Sequence, residues 1–167
     1  MKKLLFILFL LFGLTNINSQ NANKYLEYNS DKATFLYSDK YTLTDYRVLN
    51  PNIDIKLVIN DSGIIGDRDN IVMDIEDSSP AIEERIKDDN TFAGMSSLLG
   101  FALKRTTLYN KEILVLNFSM KGRSFQQYIF IENKKFCTIT VGARNSARLE
   151  KMLDDMETIL KTIAFKR

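Results

Sequence analysis

The chain has no histidine, no tryptophan, one cysteine and two prolines in 167 residues. Without histidine there is no Ser-His-Asp triad, no Cys-His dyad and no imidazole metal ligand. Cys137 alone permits no internal disulfide, no CxxC pair and no thiolate cluster. Charge of one sign is also scarce: 23 Lys plus Arg stand against 21 Asp plus Glu. That balance excludes a strongly basic nucleic-acid binder as a first reading. The longest apolar run, Leu4 to Leu14, falls short of the ~20 residues a permanent transmembrane helix needs.

That run has another meaning. Lys2 and Lys3 precede it, and Ser19 supplies a small residue before a cut, which is the order of a secretory signal peptide. Residues 1–19 are therefore expected to be removed, with no transmembrane anchor left behind. Lys2 and Lys3 leave with them, so the net charge of +2 falls to zero in the mature part. No Cys follows the apolar run to carry a lipid. An exported domain without disulfides must be held by its core, and this length is enough for one. The expected organisation is a signal peptide (1–19), a polar lead-in (20–32) and one domain over 33–167.

Asn21 to Lys32 is Asn-rich and reads as a loosely held lead-in or a short helix. Ala33–Tyr37 and Lys40–Tyr46 read as two short strands or a bent strand pair, with Ser38 and Asp39 between them. Pro51 breaks the chain. Ile53–Ile59 alternates with Ile53, Ile55, Leu57 and Ile59 on one face, as a half-buried strand requires. Asn70–Glu76 reads as a further strand. Ser79 then caps a helix with Pro80 in its first turn, and Glu83 and Glu84 suit its positive end. Ala81 to Arg105 reads as two helical pieces broken near Asp88–Asn90, the second carrying Phe92, Met95, Leu98, Leu99, Ala102 and Leu103 at helical spacing.

Three strands follow: Glu112–Met120, almost continuously apolar and so central, then Ser124–Glu132 and Lys135–Val141. Turns near Lys121-Gly122-Arg123 and at Asn133-Lys134 make them an antiparallel meander. In the last segment Leu149, Met152, Leu153, Met156, Ile159, Leu160 and Ile163 form one apolar stripe at helical spacing. Asn145 or Ser146 caps its start. The stripe needs a sheet face to cover, and the meander provides one. The fold class is α+β: an antiparallel sheet of about six strands flanked by helices, with the C-terminal amphipathic helix packed on it.

This order of elements resembles the PsbP-like and DcrB-like group. The residues carrying the likeness are ATFLYSDKYTL (33–43), QQYIFIENKKFCTITVGA (126–143) and LEKMLDDMETILKTIAFK (149–166). Ser38 stands where the family pattern often has Pro, and Tyr41 where Trp is common. The resemblance implies an antiparallel sheet flanked by helices and an accessory binding or assembly role without catalysis. Some relatives bind metal through His, and that role does not carry over to a chain without it.

The candidate sites are few. Counted from Asp67 as an EF-hand loop, position 5 is Ile71 and position 6 is Val72, so the Ca²⁺ pattern fails and the acidic run Asp67–Asp77 reads as solvated surface. Cys137 lies in a strand beside Phe136 and reads as a buried, inert thiol, with an intermolecular bridge as the alternative. No SxxK pattern exists, since Ser119 is followed three places on by Gly122 and Ser38 by Tyr41. Asp154 and Asp155 read as the exposed side of a helix. Tyr37, Tyr41 and Tyr46 form an aromatic cluster that either fills the core or meets a partner. Lys121, Arg123, Lys134 and Lys135 sit at the meander turns.

No catalytic, cofactor-binding or metal-binding residue is assigned, and no cofactor is expected. Tyr37, Tyr41 and Arg123 are the binding candidates. The expected function is a non-enzymatic, exported (periplasmic or secreted) binding or assembly subunit whose partner is another envelope or secreted protein. The alternative is a carrier of a small apolar molecule or lipid, using a pocket between sheet and C-terminal helix.

Overall fold

The computed structural model describes residues 24–45, 54–60, 68–88 and 101–166. The expected signal peptide, Tyr46, Ile53, Asp67 and residues 91–100 of the expected second helical piece lie outside the described residues. Within them the elements are β1 (Tyr25–Asn29), β2 (Ala33–Ser38), β3 (Tyr41–Asp45), β4 (Ile55–Ile59), β5 (Asn70–Asp77), α1 (Pro80–Lys87), β6 (Ala102–Leu108), β7 (Lys111–Met120), β8 (Arg123–Glu132), β9 (Lys135–Ala143), α2 (Ser146–Thr162) and β10 (Ala164–Phe165).

β3 to β9 form a seven-stranded sheet in the order β3-β4-β5-β9-β8-β7-β6, and β1, β2 and β10 form a three-stranded one in the order β1-β2-β10. Each of these pairings is antiparallel. The α+β class is as expected, with more strands than the sequence suggested. The turns of the meander explain its regularity. Tyr109-Asn110 (φ 52° and 62°), Lys121-Gly122 (φ 52° and 74°) and Asn133-Lys134 (φ 51° and 63°) all have both central residues left-handed. That is the geometry of two-residue type I′ hairpins, whose twist matches the strands they join.

Alternation sends Ile71, Met73 and Ile75 of β5 and Cys137, Ile139 and Val141 of β9 to one face, where they stand opposite one another in register. α2 lies on that face and buries Met152, Met156, Ile159 and Leu160. Each such side chain taken from water stabilises the fold by roughly 1.5–3 kcal/mol. Asn145 caps α2 by accepting from the Arg148 amide at 2.9 Å. The small sheet closes the end of this core, with Ala33 and Phe35 buried and Phe165 of β10 5.9 Å from the Phe130 ring.

Three expectations change. The expected lead-in carries β1, an exposed edge strand held in register by β2, from Tyr25↔Ser38 to Asn29↔Thr34. β2 and β3 are not paired with each other but belong to different sheets. The end of the expected second helical piece is β6, paired with β7 from Ala102↔Asn117 to Leu108↔Lys111. Its helical spacing yields to a ready partner strand, the usual way tertiary pairing overrides local preference. β7 is an interior strand, second from the sheet edge, so the expected central place is corrected in position though not in kind.

Candidate binding surface

Of the three candidate residues, Tyr41 is 3% exposed and faces α2. Its hydroxyl donates to Asp155 Oδ2 at 2.8 Å, and Lys40 Nζ lies 2.5 Å from the same oxygen. Asp155 is therefore buried beneath the helix and not on its exposed side, because this pair of donors replaces the water it gives up. Burial, then the charge and hydrogen bond of Asp155, hold the Tyr41 phenol well above its ordinary pKa. A second clamp lies nearby. Asp69, fully buried, accepts from the Arg144 amide at 2.7 Å and from Arg148 Nε of α2. The reading of the whole acidic run as solvated surface is corrected at this residue. Its neighbours Asp74 and Glu76 do lie on the strand face away from α2.

Tyr37 is half-buried in the small sheet, edge-on to Phe35 at 6.2 Å. Arg123 starts β8, donates to the Arg68 carbonyl at 3.0 Å and stands 6.0 Å from the Phe125 ring. The three candidates thus sit on three strands, with Tyr41 and Arg123 on opposite faces of the large sheet. Cys137 is fully buried, and desolvation pushes its thiol well above the usual pKa. Among the described residues no three acidic or Cys side chains are grouped to hold a metal ion.

The face opposite α2 carries its own features. Phe118 stacks on Phe125 at 5.0 Å and meets Phe101 at 4.9 Å. The ladder ends on Gly142 of β9, where a Cβ would stand 2.9 Å from the Phe125 ring. Further along, Leu114, Leu116 and Ile129 form a second small core against Ile86 of α1, Leu103 and Phe136. Ser79 caps α1 by accepting from the Ile82 amide, and Arg105 donates to the Ile86 carbonyl, which fixes the helix beside the edge of the sheet.

Between α1 and the β6–β7 hairpin lies a groove of ≈ 510 Å³. Ile86, Ile113, Leu114 and Ile131 supply its apolar lining, and Glu83, Lys87, Arg105 and Glu112 its charges. The expected pocket lay under α2; there Met156, Ile159 and Leu160 have no exposed surface, and the groove is on the other face. One sequence signal pointed to it: the unbroken run Ile113-Leu114-Val115-Leu116 demands apolar cover on both faces of one strand.

No family model matches the chain, and no characterised protein matches it by sequence. Solved structures do. The solution structure of cyanobacterial PsbP (CyanoP) from Synechocystis sp. PCC 6803 superposes with a TM-score of 0.60 at 11% identity, over 92% of this chain and 99% of that one. The fold is PsbP-like. LpqN, involved in cell envelope biogenesis of Mycobacterium tuberculosis, superposes on the chain with a TM-score of 0.56 at 13% identity, over 92% of this chain and 97% of its own. A Bacteroides thetaiotaomicron structure matches with a TM-score of 0.56 at 8% identity, over 84% of this chain and 48% of that one. At these identities the likeness concerns the PsbP-like fold itself. Among the described residues no helix is long and apolar enough to cross a membrane.

Proposed function

We propose that this protein is an exported, non-enzymatic binding or assembly subunit of the cell envelope, periplasmic or secreted, whose partner is another envelope or secreted protein. The observation that carries this reading is the PsbP-like fold, shared over nearly the full length of CyanoP and of LpqN. LpqN's part in envelope biogenesis supports the compartment, and so does the signal-like order of residues 1–19. The use of buried polar groups supports a role without chemistry. Asp155, Tyr41, Asp69 and Arg148 are engaged in fastening α2 to the sheet, not gathered around the groove.

Fractionation with intact-mass measurement tests export: the reading expects the chain outside the cytoplasm, cut after Ser19. A photo-crosslinker on the exposed rim of α1 should then trap one discrete envelope protein in living cells. A cytoplasmic, uncut chain with no discrete adduct overturns the reading. A carrier of an apolar molecule is the second reading, favoured by the groove's volume, which lies in the range of small-molecule sites. Native mass spectrometry of freshly purified protein separates the two, because a carrier retains lipid mass.

A further inference from the structure

We infer that the outer edge of β1 pairs with the same edge of a second copy of this chain, antiparallel about a two-fold axis at Leu26, so that the two small sheets join into one. This goes beyond the subunit reading and does not rest on it.

Among the described residues β1 is paired on its β2 side alone. Two bonds fix which of its main-chain groups are taken. The Ser30 amide donates to the Ala33 carbonyl at 3.0 Å, and the Asp39 amide to the Lys24 carbonyl at 2.9 Å. The register runs unbroken from Tyr25↔Ser38 to Asn29↔Thr34. Alternation therefore turns the main chain of Lys24, Leu26 and Tyr28 toward β2, and that of Tyr25, Glu27 and Asn29 outward. Outward N–H and C=O groups are a template for another strand. Native edges guard against such pairing with proline, lysine or a bulge. Tyr25–Asn29 holds neither residue, and no bulge interrupts it.

The side chains at this edge are apolar where a partner sits. Tyr25 is 44% and Leu26 36% exposed, and Leu36 of β2 is another large apolar side chain left to solvent. Leu36 stands opposite Glu27 and so shares the face of Tyr25, while Leu26 stands opposite Tyr37 on the other face.

Self-complementarity names the occupant. Outward residues pair with outward residues, and axes at Leu26 or at Glu27 overlap the strand most fully. An axis at Glu27 sets carboxylate directly against carboxylate, which destabilises. The axis at Leu26 sets no like charges opposite. Leu26 meets Leu26 and completes an apolar row of Tyr37, Leu26, Leu26 and Tyr37 across both copies. Tyr25 exchanges both main-chain hydrogen bonds with Glu27 of the second copy, and the axis repeats the pair. Lys24 comes opposite Tyr28, whose aromatic ring attracts a cation.

The full chain should show a reversible monomer–dimer equilibrium in sedimentation velocity. Leu26→Lys sets two cations against each other, and the two-fold makes each substitution count twice, so association should weaken at least roughly tenfold. Leu26→Val keeps the apolar row and should keep the dimer. Leu26→Cys gives the sharper reading. Opposed residues without mutual hydrogen bonds bring their Cα atoms to about 4.5 Å, within disulfide reach. The native Cys137 is buried and does not compete. Mild oxidation should link Leu26→Cys into a covalent dimer and leave Asn29→Cys unlinked.

Three results overturn the inference: a chain that stays monomeric at every concentration, a folded Leu26→Lys variant that associates as before, or a Glu27→Cys variant that links while Leu26→Cys does not. In the second case association runs through another surface, and in the third the axis lies elsewhere. None of them touches the subunit reading, which is tested by the compartment and the trapped partner.

Discussion

Replacing Tyr41 by Phe removes one hydroxyl from beneath α2 and leaves the ring in place. The lost bond is charge-assisted, runs 2.8 Å to Asp155 and is shielded from water. Hydrogen bonds to charged groups contribute about 1.5–3 kcal/mol net. Lys40 stays 2.5 Å from the same carboxylate, so Asp155 is not left unpaired, and the lower part of that range applies. The expected loss is about 1.5–2 kcal/mol, or roughly 3–8 °C in Tm for a domain of this size. Urea unfolding of the single variants and a double-mutant cycle with Asp155→Asn check it, with a coupling of at least ~0.5 kcal/mol expected for a real contact. The pH dependence gives a second reading. A phenol whose folded pKa is raised stays neutral in the fold while it ionises in the unfolded chain. Its stabilising contribution is therefore complete below pH ~10 and declines as pH rises beyond it. Tyr41→Phe should flatten that alkaline decline. A loss under ~0.5 kcal/mol with the alkaline decline unchanged refutes the clamp.

The other expectations are as follows. Met156→Ala empties a fully buried position between α2 and the sheet and should cost about 2–5 kcal/mol in chemical denaturation. Gly142→Ala sets a methyl against the Phe125 ring and should destabilise by roughly 1–3 kcal/mol, with Phe125→Leu in the same chain restoring part of the loss. Asp74 has its carboxyl pKa raised by desolvation, then by the charges of Asp54 and Glu76. Its ionised form is thus disfavoured in the fold, and the penalty grows as pH rises above the unfolded value of ~3.9. Asp74→Asn should raise stability at pH 7 and lose that advantage below about pH 4, read from denaturation midpoints across that window.

What was legible in the sequence is what repeats at short range. The stripe Leu149 to Ile163 specifies α2, and alternation specifies β4, β5, β8 and β9, because one buried face leaves a regular period. β1 was missed because an exposed edge strand has no buried face to leave one. β6 was misread because Ala102 and Leu103 also fit a helical stripe, and only β7 decides between the two. The hairpin turn Tyr109-Asn110 goes with β6, since without a strand before it there is no hairpin to turn. The clamps could not be seen at all. Tyr41 and Asp155 are 114 residues apart, and Asp69 and Arg148 are 79 apart, so a charged residue that looks solvent-facing by period is buried by a partner from another element. The groove left only the double-sided apolar run of β7, and its charges come from three separate elements.

The closure of β2 by β10 has a consequence for the order of assembly. β1 and β2 are made early, yet β2 gains its second neighbour only from Ala164 and Phe165, while Lys166 ties back to the Lys32 carbonyl. β5 likewise waits for β9. A ribosome releasing this chain from its N-terminal end therefore extrudes strands that stay half-paired until β9 and β10 emerge. Such a delay leaves the polypeptide open until late in its synthesis, a property that the export proposed above requires.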